Sequence, residues 1–199
     1  MSLIREGKIK MRRLISIIGD ASVEEGSPKY EMAFNLGKAL VDNGYRVASG
    51  GLNGIMRAAF KGAKSSKYAV DGDTIAITPM FDRSITNEYA DIVVATGLDV
   101  FRNVIVANSD AVIAVGGGSG TMCEICNAWA LKKMILATRN VDGWSAKVAD
   151  TRLDNRVRLH GNLEIDKVFG INNSIEAIAL LKEHLNKYLE LTYTRITKD

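Results

Sequence analysis

The sequence predicts a doubly wound α/β protein: a mainly parallel sheet of about seven strands with helices on both faces. Three observations lead there. Short apolar runs at 14–18, 74–78, 112–115 and 134–138 have the length and composition of buried strands. Segments with apolar residues at helical spacing alternate with them. Glycine turns recur where a strand hands over to a helix, at Gly19, at Gly50-Gly51 and at Gly116-Gly117-Gly118. In such sheets ligands bind beyond the carboxyl ends of the strands. The turns at Gly19, Gly50, Thr78, Thr96 and Gly116 all fall on that edge, as a single pocket requires.

Composition narrows the function classes. A chain of 199 residues, 47% hydrophobic and 25% charged, is long enough for one well-formed core. We read residues 1–13 as a basic tail and 14–199 as one domain. No apolar run approaches the ~20 residues of a membrane helix, and the start lacks a signal-peptide pattern, so the expected location is cytoplasmic with no membrane partner. The net charge of +3 is small and bases alternate with acids, which argues against nucleic acid as a partner. Two cysteines exclude a disulfide framework.

Taken in order, 14–18 is a strand ending in Gly19-Asp20-Ala21-Ser22. A polar loop with Pro28 precedes a helix over about 29–43, where Met32, Leu36, Ala39 and Leu40 share a face and Gly44 stops the helix. A strand at 45–49 leads through Gly50-Gly51-Leu52-Asn53-Gly54 into a helix holding Ile55, Met56, Ala59 and Phe60. Asp71-Gly72-Asp73 turns the chain into the strand 74–78. Residues 80–90 read as a loop at the pocket edge, 91–95 as a strand and 100–108 as a helix. After the central unit come a strand at 134–138, a turn at 141–144, a short helix over 144–150 and a last strand at 166–169. Ser174 caps an amphipathic helix running to about residue 191, with Ile178, Leu181, Leu185 and Leu189 on one face.

The central unit is Val112-Ile113-Ala114-Val115-Gly116-Gly117-Gly118-Ser119-Gly120-Thr121, with a helix expected over 122–131. Glycines let the backbone approach a ligand, and the first N–H groups of a helix have no internal partner, so the loop suits an anionic oxygen. The bland alternative is a simple chain reversal. A Walker A motif is excluded because Gly120 is followed by Thr121 and Met122 rather than Lys and Ser or Thr. The dinucleotide fingerprint fails on spacing, and no acid ends the next strand, which reads Ala137-Thr138-Arg139.

Gly117-Gly118-Ser119-Gly120-Thr121-x-x-Glu124 resembles the P-G-G-x-G-T-x-x-E signature of the LONELY GUY phosphoribohydrolases, and Gly50-Gly51-x-x-Gly54 resembles their earlier glycine turn. The resemblance spans about 14–144. It is closer to the sister group that includes the molybdenum-cofactor carrier protein, through Thr96-Gly97-Leu98-Asp99 and Gly143-Trp144. It implies a Rossmann-like nucleotide-binding fold and a homodimer or higher homo-oligomer. It also implies a small phosphorylated ligand, either a nucleoside monophosphate or a molybdopterin-type cofactor. Two departures stand out. Gly116 replaces the signature Pro, and Asp99-Val100-Phe101-Arg102-Asn103 replaces Met-His-Glu-Arg-Lys, with Arg102 one place off the catalytic arginine when counted back from Asp110.

The implied catalytic pair is Glu124 and Arg102. The implied ligand contacts are Gly19, Ser22, Gly50, Gly51, Gly54, Thr78, Gly97 and Asn103, with Gly116, Gly117, Gly118, Ser119, Gly120 and Thr121. Glu124 would stabilise an oxocarbenium-like transition state, yet a Glu in a first helical turn also satisfies capping and the helix dipole. Arg102 either binds an anion or lies in solvent. Cys123 and Cys126 read as small packing residues in a buried helix, since two sulfurs cannot fill a zinc site and His160 and His184 lack ligand spacing. Arg152, Arg156 and Arg158, interleaved with Asp150 and Asp154, read as a solvated mixed-charge surface.

Overall fold

A computed structural model describes residues 11–158 and 164–193. Seven parallel strands form one sheet: β1 (Leu14–Gly19), β2 (Arg46–Ser49), β3 (Thr74–Thr78), β4 (Ile92–Ala95), β5 (Ala111–Val115), β6 (Met134–Thr138) and β7 (Val168–Ile171), ordered β4-β3-β2-β1-β5-β6-β7. This is the doubly wound α/β architecture. The order reverses between β1 and β5, and that crevice is where such sheets bind ligands.

Side-chain alternation divides the core in two. Ile113 and Val115 pack on one face with Ile15 and Ile17, beneath α1 (Pro28–Asp42), α2 (Ile55–Lys64) and α6 (Ser174–Tyr193). Val112 and Ala114 face the opposite way with Ile18, beneath α3 (Asn103–Ala107), α4 (Ser119–Ala130) and α5 (Trp144–Val148). A period of two along β5 therefore feeds both layers. No helix among the described residues is long and apolar enough to cross a membrane.

Several boundaries move, each for a local reason. The helix expected over 100–108 is a 3₁₀ turn, Asp99–Arg102, running into the five-residue α3. The last strand begins at Val168 because Asp166 is drawn inward to Arg158. The cap of α6 is Asn173, whose side chain accepts from the Glu176 N–H at 2.9 Å, so Ser174 is the first helical residue. Arg12, assigned to the tail, is anchored: its guanidinium donates to Gly44 O and Tyr45 O and pairs with Asp73. Residues 1–10, and His160 with the rest of 159–163, lie outside the described residues.

Two solvent assignments are corrected. Cys123 and Cys126 are exposed, because Thr121, Glu124, Ile125, Ala128 and Trp129 take the inward face of α4 and leave 123 and 126 on the opposite one. Arg158 is only 4% exposed: it pairs with the fully buried Asp166 at 2.7 Å and lies 3.4 Å over the ring of Trp129. Arg152 and Arg156 stay in the surface pattern, paired with Asp166 and Asp154.

Candidate functional site

A cleft of about 310 Å³ opens at the carboxyl ends of β1 and β5, at the reversal of strand order. One wall is the start of α4, with Gly118, Ser119, Gly120 and Thr121. The other is the ends of β1 and β2 and the start of α2, with Ile18, Gly19, Asp20, Ala21, Gly50, Leu52 and Met56; Arg102, Asn103 and Glu124 complete the lining. Helix α4 starts at Ser119, three residues before the point the sequence indicates. The consequence is chemical. Glu124 is its sixth residue rather than a first-turn residue, so neither capping nor the dipole explains a carboxylate there.

Among the described residues, no protein acceptor engages the N–H groups of Gly118, Ser119, Gly120 or Thr121. These four donors border the cleft at the positive end of a twelve-residue helix, the arrangement that favours an anion. The two preceding glycines are already served. Gly116 N–H donates to Ser145 Oγ at 2.8 Å and Gly117 N–H to Asp20 Oδ2 at 3.0 Å. Their carbonyls accept from Ser145 N–H and Trp144 N–H, so the start of α5 braces the loop from behind. Gly117 has φ of +97° and a Cβ there would strike Thr121, which makes it a shape requirement rather than a ligand contact.

Arg102 reaches the floor of the cleft despite its offset in the sequence. It is 8% exposed, and its Nη1 donates to Glu124 Oε1 at 2.9 Å. Arg102 ends the 3₁₀ turn Asp99–Arg102 and is that turn's one buried residue, directed inward toward α4 and Gly50. The guanidinium sits where a Gly50 side chain would be: a Cβ there would lie 2.6 Å from Nη2 and 2.7 Å from Nη1. Arg102 Nε is buried without a partner. Burial pushes the Glu124 carboxyl up to about 7, with Arg102 pulling it partly back. Near neutral pH the pair therefore carries positive charge for part of the time, beside the free amides.

Other sequence candidates lie outside this lining. Ser22 is exposed beyond the rim. Gly51 packs on Ala76 and Thr78, and Gly54 packs on Asp20 O as it opens α2. Thr78 ends β3 and Gly97 follows β4, the second and third neighbours of β1, and neither is among the lining residues. Gly97 instead supports the Phe81 ring. The 80–90 loop contains a 3₁₀ turn, Arg83–Ile85, and contributes no lining residue; Asn87 ties it to Gly51 O and Leu52 O. Asp20, Leu52 and Met56 went unread as site residues. Asp20 had a signal, as a charged residue immediately after a buried central strand. Among the described residues, no cluster of three or more His, Cys, Asp or Glu could hold a metal.

Residues 12–168 match the model of the SLOG cluster4 family. The chain belongs to that family. An uncharacterized protein of Archaeoglobus fulgidus is 41% identical over 120 residues, 60% of this chain and 74% of the relative. Among solved structures, the molybdenum cofactor binding protein of the phototrophic bacterium Rippkaea orientalis is 29% identical with a TM-score of 0.69, over 87% of this chain and 98% of that one. The molybdenum cofactor carrier protein of Chlamydomonas reinhardtii is 28% identical with a TM-score of 0.67, over 88% and 99%. The Rossmann-like, carrier-like reading of the sequence thus agrees with both the family and its structural neighbours.

Proposed function

We propose that this SLOG cluster4 protein binds a phosphate-bearing nucleotide or nucleotide-like cofactor, with the phosphate on the amides of Gly118, Ser119, Gly120 and Thr121. The observation that carries this is the row of four unpaired N–H donors at the start of α4, bordering a cleft with the Arg102–Glu124 pair at its floor. A molybdopterin-type ligand carries a phosphate that fits those donors, and two similar solved proteins bind or carry the molybdenum cofactor. Ligand binding without efficient turnover is the leading reading, because Gly116 and Asn103 depart from the hydrolase pattern. Elemental analysis for molybdenum and mass spectrometry of the purified protein test the ligand class.

One observation favours a second reading, cleavage of the N-glycosidic bond of a nucleoside 5′-monophosphate. A buried carboxyl raised to about 7 and paired with an arginine is equipped for acid or base work at neutral pH. Chromatographic release of free base from AMP, GMP, CMP, UMP and IMP separates the readings. Rapid release by wild type, lost in Glu124→Gln, establishes the hydrolase; no release supports binding alone.

A homo-oligomer completes the proposal. Leu98, just before the 3₁₀ turn, Val100 and Phe101 on it, and Val104 and Ile105 on α3 are exposed large apolar residues, with Phe101 78% exposed. An apolar stripe of this kind is what a second copy would cover.

A further inference from the structure

We propose that Asp20 selects ligands carrying a hydroxyl close to the phosphate, its unengaged carboxylate oxygen accepting that hydroxyl's hydrogen bond. This rests on the reading of the cleft as a phosphate-ligand site and names the ligand class it takes.

Asp20 stands immediately after β1, at the reversal of strand order, and lines the cleft. All of its side-chain contacts pass through one oxygen. Oδ2 accepts from Gly117 N–H at 3.0 Å and from Lys29 Nζ at 3.0 Å, and Lys29 in turn reaches Asp142 Oδ1 at 3.1 Å. Oδ1 takes no hydrogen bond among the described residues, and the side chain is 27% exposed. One oxygen is thus clamped and the other left over. The result is an acceptor of fixed direction on the wall of the cleft.

Its charge decides what it can meet. A carboxylate repels a phosphate and attracts a donor, so the phosphate is directed to the amides of α4 and the donor to Asp20. Position decides which donor. The N–H that Asp20 holds belongs to Gly117, the residue before the first free amide at Gly118. A partner of Oδ1 therefore lies only a few bonds from the phosphorus, where a nucleotide presents sugar hydroxyls rather than base N–H groups. Lys29 supplies the counter-charge that lets a carboxylate share the wall with an anion site.

The test is calorimetric titration of wild type and Asp20→Asn with AMP, 2′,3′-dideoxyadenosine 5′-monophosphate and inorganic phosphate, beside a thermal melt. Asparagine keeps an acceptor for Gly117 but replaces the free oxygen by a donor. Wild type should prefer AMP over the dideoxy compound by about tenfold or more, as loss of a hydrogen bond to a charged group predicts. In Asp20→Asn that ratio should fall severalfold, since a neutral amide replaces the charged acceptor, with inorganic phosphate bound as well or better. Equal binding of the two nucleotides by wild type overturns the role of Asp20 while leaving the phosphate site standing. A preference that survives undiminished in Asp20→Asn overturns that role equally. Absence of binding by all three ligands removes the phosphate site and this inference with it. Should the variant fail to fold, the wild-type ratio alone decides.

Discussion

Arg102 Nη1 lies 2.9 Å from Glu124 Oε1 at the floor of the cleft, with both side chains nearly withdrawn from solvent. The two come from different elements, the 3₁₀ turn before α3 and the second turn of α4. Desolvation of a pair like this is costly unless the geometry or a ligand offsets it. That cost gives the pair a measurable pH signature.

Glu124 is raised from 4.5 to about 7 by burial. A carboxyl raised in the folded state favours folding below its unfolded value, and that contribution is lost as pH rises through about 7. Wild type should therefore lose stability relative to Glu124→Gln between about pH 4.5 and 7. Paired thermal melts across that range check this, and a constant difference would place the titration elsewhere.

Gly50 makes room for the arginine. Gly50→Ala would put a Cβ 2.6 to 2.8 Å from the Arg102 guanidinium and Met56 Sδ. We expect about 1–3 kcal/mol of lost stability from overpacking, with weakened binding of phosphorylated ligands as Arg102 is displaced. Denaturant melts and ligand titration read the two effects separately.

Phe101 tests the exposed stripe. Phe101→Glu places a charge on a face that a second copy would bury, and it should shift the protein to monomer in sedimentation equilibrium. An unchanged mass would move the interface off this face.

Because Cys123 and Cys126 face outward on α4, Cys123→Ala and Cys126→Ala should each change stability by no more than about 0.5 kcal/mol. Ligand binding should be untouched. Urea melts and titration check both, and a loss of several kcal/mol would mean that the thiols are packed.

Much of this was legible in the chain because period-two apolar runs and glycine turns report backbone geometry directly. The strands at 14–18, 74–78, 112–115 and 134–138 sit where their patterns put them. What escaped was set by tertiary context. Arg158 looks like surface in a run of alternating charges, and only the approach of Trp129 and Asp166 makes it core. Cys123 and Cys126 needed the rotation of α4, which the packing of Ile125, Ala128 and Trp129 on the sheet sets. Asp20 needed strand order, since the sequence does not say that β1 lies beside β5. Thr78 and Gly97 share the binding edge, but strand order carries them away from the cleft.

Gly118 offers the most direct test of the phosphate site. Its φ of −96° and ψ of −150° suit any residue, and a Cβ there meets nothing within 4 Å, so Gly118→Val should fold normally. The valine side chain would nonetheless stand beside the free amides and block a phosphate. Calorimetric titration of wild type and Gly118→Val with AMP, alongside a thermal melt, should show binding by wild type and none by the cooperatively folded variant; equal affinity in the two would place any bound phosphate away from the start of α4.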